Sequence, residues 1–349
     1  MRILYSVQAT GNGHISRAME LLPYLKQYGE VDIFLSGANS SLDLSFPIKY
    51  RSNGLSLFYT CKGKLDYTKT VFALSPFRLR KEVNHLPVEK YDLILNDFEC
   101  ITAMACASKK IPSINFGHQA SFTSVNTPRP KEKSKVGEWI LKNYARASFY
   151  VGLHFQQYDD FIFPPVIKKE INTAEPSDKD FFAVYLPSYC ENILEKYFHP
   201  LAPCRFTIFS FQTRQIRISK NISFLPVDRN LFNDALINCS GIITGSGFET
   251  PAEAIKLKKK LMVIPIKGHY EQQCNAAALK QIGVKKLDKI DDDFTGHFND
   301  WLGSKPVKIS YDHSTEDIIA KVMTLSISHV KEKRNISAGE FDLMLLPTS

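Results

Sequence analysis

The stretch from Ile242 to Glu253 reads Ile-Ile-Thr-Gly-Ser-Gly-Phe-Glu-Thr-Pro-Ala-Glu, and it decides the fold class. A short apolar strand ends in a Gly-Ser-Gly turn, and a helix is expected to begin near Thr250 with Pro251 in its first turn. Free backbone N–H groups, hydroxyl groups and the helix dipole at such a turn together form a cradle for an anion. A capping box between Thr250 and Glu253 also explains the helix start, but it does not explain the two glycines.

The order of strand, turn and helix recurs along the chain, which is typical of α/β layers with mainly parallel sheets. Apolar runs predict strands at 2–9, 31–35, 91–96, 111–116, 182–186, 205–209, 222–225, 241–244 and 261–266. A length of 349 residues suggests two domains. The paired prolines Pro164 and Pro165 break the pattern. We therefore predict one domain at 1–164, a second at 165–330 and a flexible tail at 331–349.

The composition excludes several classes of protein. With 44% hydrophobic and 23% charged residues, the chain has the composition of a packed globular protein. No apolar run approaches the roughly 18 residues that a membrane span needs. The seven cysteines are odd in number and no two have C-x-x-C spacing, which argues against a disulfide framework or a structural zinc site. Reduced thiols and a cytoplasmic location are expected.

The net charge of +8 is unevenly distributed. Residues 1–164 contain 20 Lys and Arg against 14 Asp and Glu, so most of the excess positive charge lies in the first half. Such a charge suits nucleic acid, phospholipid or a phosphorylated small molecule. No basic stretch is interleaved with stacking aromatic residues as in known nucleic-acid modules, so a nucleic-acid partner is not expected.

A second glycine turn follows the first predicted strand, where residues 9–14 read Ala-Thr-Gly-Asn-Gly-His. It matches only half of a dinucleotide fingerprint, because Ser16 replaces the third glycine and no acidic residue ends the second strand. His14 lies where a strand-to-helix turn opens onto the carboxyl edge of the sheet, and a neutral imidazole there can accept a proton. A role as a helix cap or a bond to a nearby carbonyl remains an equal alternative.

The segment 264–276 ends another strand and continues as Gly-His-Tyr-Glu-Gln-Gln-Cys-Asn-Ala. Taken with 242–253, it gives the order strand, Gly-Ser-Gly-x-x-Thr-x-x-Glu, helix, strand ending in Pro, and Glu-Gln-x-x-Asn-Ala. This order resembles the donor site of nucleotide-sugar glycosyltransferases with the GT-B fold. The most similar patterns are those of the lipid II-forming N-acetylglucosaminyltransferase and the UDP-glycosyltransferases. The resemblance covers about residues 1–325 and implies two Rossmann-like domains whose sheets face each other across a crevice.

The resemblance implies donor-site roles for particular residues. It implies that Glu253 binds the ribose and that the backbone at Phe224 contacts the base. It also implies that the diphosphate lies on the turn residues Gly245, Ser246, Gly247 and Thr250, and that Glu271 and Gln272 hold the donor sugar. Two features depart from the family pattern: Glu271 replaces a histidine of the lipid II enzyme, and the segment 209–212 lacks the family's glycines. The identity of the sugar and the phosphate contacts on that side stay open.

The same resemblance implies that His14 is a general base facing the acceptor. The acceptor-side residues would be Gly11, Asn12, Gly13, His118 and Gln119. Asp97 ends a neighbouring predicted strand and could orient His14, as a carboxylate does behind a catalytic base. Asp97 as a cap of the following helix is the alternative. A nucleotide sugar would be the co-substrate, with no other cofactor and no metal ion.

The segment 128–147 is the most basic part of the first half. It contains Arg129, Lys131, Lys133, Lys135, Lys142 and Arg146, and its apolar side chains Val136, Trp139, Ile140 and Tyr144 fall on one helical face. Such a helix suits an anionic membrane surface, on the inner face of the membrane for a cytoplasmic protein. Packing of the apolar face against its own domain is the alternative.

These observations predict a metal-independent glycosyltransferase that uses a UDP-sugar, and the resemblance implies that the reaction inverts the anomeric carbon. The acceptor would be a glycan, a lipid-linked sugar or a small molecule, and cell-envelope glycan or glycolipid synthesis is the expected context. Two alternatives stay open: a nucleotide-sugar epimerase on the same fold, and a non-catalytic protein that binds a nucleotide sugar or lipid. Asp291–Asp293 contains a D-x-D sequence but lies in a charged connection, so it is interpreted as a solvated loop or helix cap.

Overall fold

The structure is a computed structural model that describes residues 1–9, 12–37, 46–53, 76–311 and 314–324. It contains two sheets of seven strands each. Gly11 and the predicted tail at 331–349 lie outside the described residues. Both sheets are flanked by helices, in agreement with the α/β architecture expected from the alternating pattern.

The first sheet is parallel throughout and has the order β3-β2-β1-β4-β5-β6-β7. Its strands are β1 (Arg2–Gln8), β2 (Glu30–Ser36), β3 (Tyr50–Ser52), β4 (Leu93–Asp97), β5 (Ile114–Gly117), β6 (Phe149–Leu153) and β7 (Ile162–Phe163). The accompanying helices are α1 (Asn12–Leu25), α2 (Pro76–His85), α3 (Cys100–Lys109) and α4 (Lys135–Asn143). We call these elements together the N-terminal unit.

The second sheet has the order β10-β11-β9-β8-β12-β13-β14, and only the pair β10 and β11 is antiparallel. Its strands are β8 (Phe182–Tyr185), β9 (Phe206–Ser210), β10 (Arg217–Ser219), β11 (Ile222–Pro226), β12 (Gly241–Thr244), β13 (Lys260–Val263) and β14 (Lys285–Lys286). The helices are α5 (Lys169–Asn172), α6 (Glu191–Phe198), α7 (Arg229–Asn238), α8 (Glu249–Lys256), α9 (Tyr270–Gln281) and α10 (Phe294–Leu302). These elements form the C-terminal unit.

The predicted strands lie within about two residues of the observed ones, except that β5 begins three residues later than predicted and β13 ends three residues earlier. β13 stops at Val263, because the chain then leaves the sheet at Pro265, which has no N–H to donate. The short strand β7 pairs with β6 and ends at Phe163, directly before the first of the two prolines. A further helix, α11 (residues 315–324), returns to the N-terminal unit, where the Nζ atom of Lys321 lies 5.0 Å from the centre of the Phe163 ring.

The two units are packed together beside a crevice. Tyr270 of α9 donates a 2.5 Å hydrogen bond to Glu138 of α4, and the Tyr270 ring fills the space where a side chain at Gly137 would lie. The imidazole of His118 stacks on the ring of Phe248 with centroids 4.0 Å apart. In this arrangement the carboxyl ends of both sheets face each other, which is where open α/β folds bind ligands.

Candidate functional site

A cavity of about 660 Å³ lies between the carboxyl ends of the two sheets. The N-terminal unit contributes the start of α1, the end of β4 and the residues after β5. The C-terminal unit contributes the turns after β8, β9, β11, β12 and β13. Its lining includes Asn12, Gly13, His14, Arg17, Phe98, His118, Gln119, Lys168, Phe211, Asp228, Arg229, Gly247, Glu249, Thr250, Glu253, Glu271 and Gln272.

His14 and Asp97 are in direct contact at this cavity. The Nδ1 atom of His14 lies 2.9 Å from Oδ1 of Asp97, and 83 residues separate the two in the sequence. The His14 side chain is 13% exposed, whereas Asp97 is fully buried. Asp97 does not cap α3, because the carboxylate of Glu99 accepts the free N–H groups of Ile101 and Thr102. The alternative in which Asp97 is a helix cap is therefore wrong.

Phe98 marks a strained turn beside this pair. Its φ of 55° lies in the left-handed region, which is uncommon for a bulky side chain. Residues held in this conformation cluster at functional sites. The Phe98 ring lies 4.9 Å from the Tyr144 ring and lines the cavity. The turn ends β4 directly after Asp97, so that the carboxylate stays behind the imidazole.

Arg17 is the partner of Asp97 that sequence reasoning missed. Its Nη2 atom donates to Oδ1 and Oδ2 of Asp97 at 2.6 and 2.9 Å, and its Nε atom donates to Oδ2 at 3.2 Å. Burial opposes ionisation of Asp97, but Arg17 and His14 together lower the pKa of Asp97 to about 2. A spacing of three residues places Arg17 on the same helical face as His14, and that was the available signal.

Arg17 also contacts the C-terminal unit. Its Nη1 atom forms an ion pair with Oε1 of Glu249, the first residue of α8. Burial raises the pKa of Glu249 to about 7, and the negative charges of Glu253 and Asp97 add to this, although Arg17 acts in the opposite direction. The sequence pattern alone predicted no role for Glu249.

The expected helix start at Thr250 is one residue late, and the capping box is wrong. Helix α8 begins at Glu249, and its N-cap residue Phe248 makes no side-chain cap. Glu253 instead faces Lys168, whose Nζ atom lies 3.1 Å from Oε2 of Glu253. Burial raises the pKa of Glu253 while Lys168 opposes that shift. Glu253 thus lies at the cavity with a cation beside it.

The remaining donor-side residues divide into two groups. Gly247, Thr250, Glu271 and Gln272 line the cavity. Gly245 and Ser246 lie behind it, because the N–H of Gly245 donates to Tyr185 and the hydroxyl of Ser246 donates to the backbone of Gln272 at 2.7 Å. Two of the four turn residues assigned to the diphosphate are therefore already occupied by contacts within the protein.

Phe224, whose backbone was expected to contact the base, does not line the cavity. Its ring is fully buried in the core of the C-terminal unit, with Arg217 stacked 4.2 Å from the ring centre. Its strand is paired on both sides, with Arg217 and Ile208 as register partners. The cavity is instead lined two residues beyond the strand's end, at Asp228 and Arg229.

The acceptor-side histidine His118 joins the two units. Its Nε2 atom lies 2.7 Å from Oδ1 of Asn275, whose amide donates to the backbone of Ser246 at 3.1 Å. Burial lowers the pKa of His118. Although burial opposes it, neighbouring His269 and His118 hold the pKa of Glu271 below its usual value.

Gln119 and Asn12 complete the acceptor side. The Nε2 atom of Gln119 lies 3.5 Å from Nε2 of His14, so the imidazole nitrogen that does not face Asp97 points to this side of the cavity. Asn12 and Gly13 line the cavity from the start of α1. The D-x-D segment 291–293 precedes α10 and does not line this cavity. In the part of the chain that the structure describes, no cluster of metal-ligating side chains is found.

The basic segment forms a shorter helix than predicted, and three of the four residues on its predicted apolar face are exposed, whereas Tyr144 packs against the core. In α4, the exposed fractions are 65% for both Val136 and Trp139 and 39% for Ile140. Packing against its own domain, the alternative interpretation, is therefore wrong for these three side chains. Among the described residues, no helix is both long enough and apolar enough to cross a bilayer.

Comparison with known proteins gives a family and a fold. The family model described as glycosyl transferase family 1 matches residues 1–302. The chain is similar in structure to the spinosyn forosaminyltransferase SpnP, with a TM-score of 0.57, 13% identity, and coverage of 94% of this chain and 99% of that one. It is also similar to Arabidopsis thaliana UGT89C1 complexed with quercetin, with a TM-score of 0.56, 14% identity and 95% coverage of both chains.

A third similar structure is the glycosyltransferase VinC in complex with dTDP, with a TM-score of 0.56, 12% identity, and coverage of 95% of this chain and 100% of that one. No curated protein sequence matches the chain significantly. Identities this low show a shared fold, so the two facing, mainly parallel sheets expected from the sequence are confirmed as this architecture.

Proposed function

The chain belongs to glycosyl transferase family 1 and is a glycosyltransferase of the GT-B fold, and we propose that it transfers a sugar from a UDP-sugar to an acceptor hydroxyl. The observation that carries the proposal is the pairing of His14 with buried Asp97, opposite Glu253 and the glycine turn, across one cavity.

In the proposed reaction, His14 accepts the proton of the acceptor hydroxyl at Nε2. The acceptor oxygen forms a bond to the anomeric carbon from the face opposite the nucleotide, and the nucleoside diphosphate leaves with the electron pair of the broken bond. This in-line displacement inverts the anomeric carbon. Asp97 holds the imidazole through Nδ1, which leaves Nε2 to accept the proton once the acceptor hydroxyl replaces the 3.5 Å contact with the amide nitrogen of Gln119.

The diphosphate of the donor is placed over Gly247 and Thr250, at the start of α8. Partial positive charge at a helix N-terminus stabilises the charge that develops on the leaving group. The proposed reaction therefore requires no metal ion. Similar structures contain a nucleotide sugar or a nucleoside diphosphate: UGT89C1 was solved with UDP-L-rhamnose and VinC with dTDP.

Glu253 is proposed to bind the ribose. Its carboxylate lies at the cavity, and it can accept hydrogen bonds from the ribose hydroxyls while Lys168 stays beside it. Hydrogen bonds to a charged group contribute about 1.5–3 kcal/mol, which corresponds to roughly tenfold to a hundredfold in affinity. The sugar is proposed to lie toward Glu271 and Gln272, whose Oε1 atom accepts the N–H of Ile266 and so leaves the amide nitrogen for a ligand.

Calorimetry with UDP and dTDP tests the donor site. The wild type is expected to bind UDP, and Glu253→Ala is expected to weaken binding by about tenfold or more. Glu195→Ala is the matched control, because Glu195 is ion-paired to Arg217 and does not line the cavity. Unchanged UDP affinity in Glu253→Ala contradicts the donor assignment.

The chemistry is tested with His14→Ala. This variant is expected to keep its UDP affinity and to lose about 10²–10⁴ in the rate of UDP release from UDP-N-acetylglucosamine and UDP-glucose in the presence of acceptor extracts. Turnover of a UDP-sugar alone into a second nucleotide sugar would favour the epimerase alternative. A normal transfer rate in His14→Ala contradicts the role of His14 as base.

We also propose that α4 brings the acceptor side to an anionic membrane from the cytoplasmic face, as lipid-linked acceptors of envelope glycan or glycolipid synthesis would require. Its exposed apolar residues Val136, Trp139 and Ile140 lie beside exposed basic side chains, at Lys131, Lys133, Lys135, Lys142 and Arg146. Trp at an interface and basic residues near anionic headgroups both favour binding.

Co-sedimentation with vesicles tests the membrane proposal. Binding is expected to vesicles containing phosphatidylglycerol and to be lost in Trp139→Ser. Ile218→Ser is the control, because Ile218 is an equally exposed apolar residue on β10 of the other unit. Equal binding to neutral and anionic vesicles, or equal loss in both variants, contradicts the proposal.

A further inference from the structure

Arg17 is a buried cation shared by carboxylates of both units. Its side chain is 2% exposed. Asp97 of β4 accepts hydrogen bonds from Nε and Nη2 of Arg17. Glu249 of α8 forms an ion pair with Nη1 of the same guanidinium. Asp97 and Glu249 are 152 positions apart in the sequence, so only the seating of one unit on the other brings them to one arginine.

One positive charge cannot offset two buried carboxylates. Asp97 makes three contacts with Arg17 and one with His14, so it remains ionised. Glu249 has a single contact with Arg17, and its burial raises its pKa to about 7. Glu249 therefore gains and loses its proton near neutral pH while Asp97 stays charged.

His14 shares Asp97 with Arg17. Its Nδ1 atom lies 2.9 Å from Oδ1 of Asp97 and 3.0 Å from Nη2 of Arg17. Because Arg17 already neutralises Asp97, a positive charge formed on His14 lacks a full counter charge among the described residues of the N-terminal unit. From the C-terminal unit, Glu249 forms an ion pair with Arg17 of this cluster.

We propose that Glu249 is a positioning residue for the transfer reaction, which acts through Arg17 and supplies the counter charge that His14 needs when it accepts a proton. Because Glu249 belongs to the C-terminal unit, protonated His14 has this counter charge only when the two units are in contact. The proposal rests on the role of His14 stated under the proposed function.

The other titratable groups around Arg17, Glu249 and His14 come from four elements. Tyr5 of β1 and Asp97 of β4 face Arg17. Glu253 faces Glu249 from the same helix, α8. Glu271 of α9 faces His14 from the opposite side of the cavity. None of these positions is altered in the variants below, so their charges are common to every protein compared.

The side-chain NMR titration of His14 tests the proposal without a substrate. The His14 signals are assigned by their loss in His14→Gln. In Glu249→Gln, which keeps the shape of the side chain, the midpoint of the His14 titration is expected to move to lower pH, since imidazolium loses a nearby negative charge. Glu249→Asp restores the carboxylate and is expected to recover most of that shift.

Glu195→Gln is the control, because it removes a different glutamate–arginine pair of the C-terminal unit and is expected to leave the His14 midpoint unchanged. A merely structural role of Glu249 would broaden or lower signals without a directed shift. An unmoved midpoint in folded Glu249→Gln, or an equal shift in Glu195→Gln, overturns the proposal.

The same samples separate this proposal from the proposed function. If the wild type binds UDP and the His14 midpoint does not move, the coupling through Arg17 is refuted and the donor site stands. If the midpoint moves and the wild type binds neither UDP nor dTDP, the coupling is supported as a charge network and the nucleotide-sugar function is refuted.

Discussion

Replacing Glu249 by glutamine changes how the stability of the protein depends on pH. The pKa of Glu249 rises from 4.5 to about 7 on folding, and the side chain is only 13% exposed. At 1.36 kcal/mol for each pH unit, this rise corresponds to about 3 kcal/mol of unfolding free energy. Burial is the largest cause of the rise, because Arg17 is already committed to Asp97.

The sign follows from the direction of the shift. A carboxyl group whose pKa is raised in the folded state contributes stability that is complete below its unfolded pKa. That contribution is lost as the pH rises through the folded value. The wild type is therefore expected to lose about 3 kcal/mol relative to Glu249→Gln between pH 4.5 and about 8.

Urea unfolding followed by circular dichroism across this pH range gives the difference. Glu195→Gln is the control with the opposite sign, because hydrogen bonds from Arg217 lower the pKa of Glu195. The wild type is expected to lose stability relative to that control variant as the pH falls. Parallel stability curves for the wild type and Glu249→Gln would refute the argument that Glu249 is a buried carboxylate without a full counter charge.

Three further substitutions test the packing around the site. Gly117→Ala places a Cβ atom 2.7 Å from Oδ1 of Asp97 and so displaces that carboxylate. The variant is expected to lose most of its rate of UDP release, while the free energy of unfolding in urea falls only slightly. Gly137→Ala drives a Cβ into the Tyr270 ring and is expected to destabilise the protein by about 1–3 kcal/mol in urea unfolding. Asn275→Ala removes the partner of Nε2 of His118, although Nδ1 keeps its contact with the carbonyl oxygen of Leu153, and it is expected to lower the unfolding free energy by about 1–3 kcal/mol. Unchanged stability in either of the last two variants would contradict the contacts between the units.

Local sequence was sufficient where short-range physics decides the structure. Glycine turns after apolar strands predicted the carboxyl edges of both sheets, because a tight turn and a following helix leave a characteristic local pattern. His14 and Asp97 were paired correctly for contact, since each follows a strand of one parallel sheet. Phe224, whose backbone was expected to contact the base, does not line the cavity, because its strand is paired on both sides within the sheet and a local pattern does not describe that pairing.

The sequence by itself determined the α/β layers, the glycosyltransferase pattern and the residues that reach the cavity from turns. Only the tertiary structure decided which charges share a partner. Arg17 is one helical turn from His14, but Glu249 lies 232 residues later in the chain, and Lys168 lies 85 residues before Glu253. Coulomb interactions depend on distance and burial, which the order of residues along a chain does not specify.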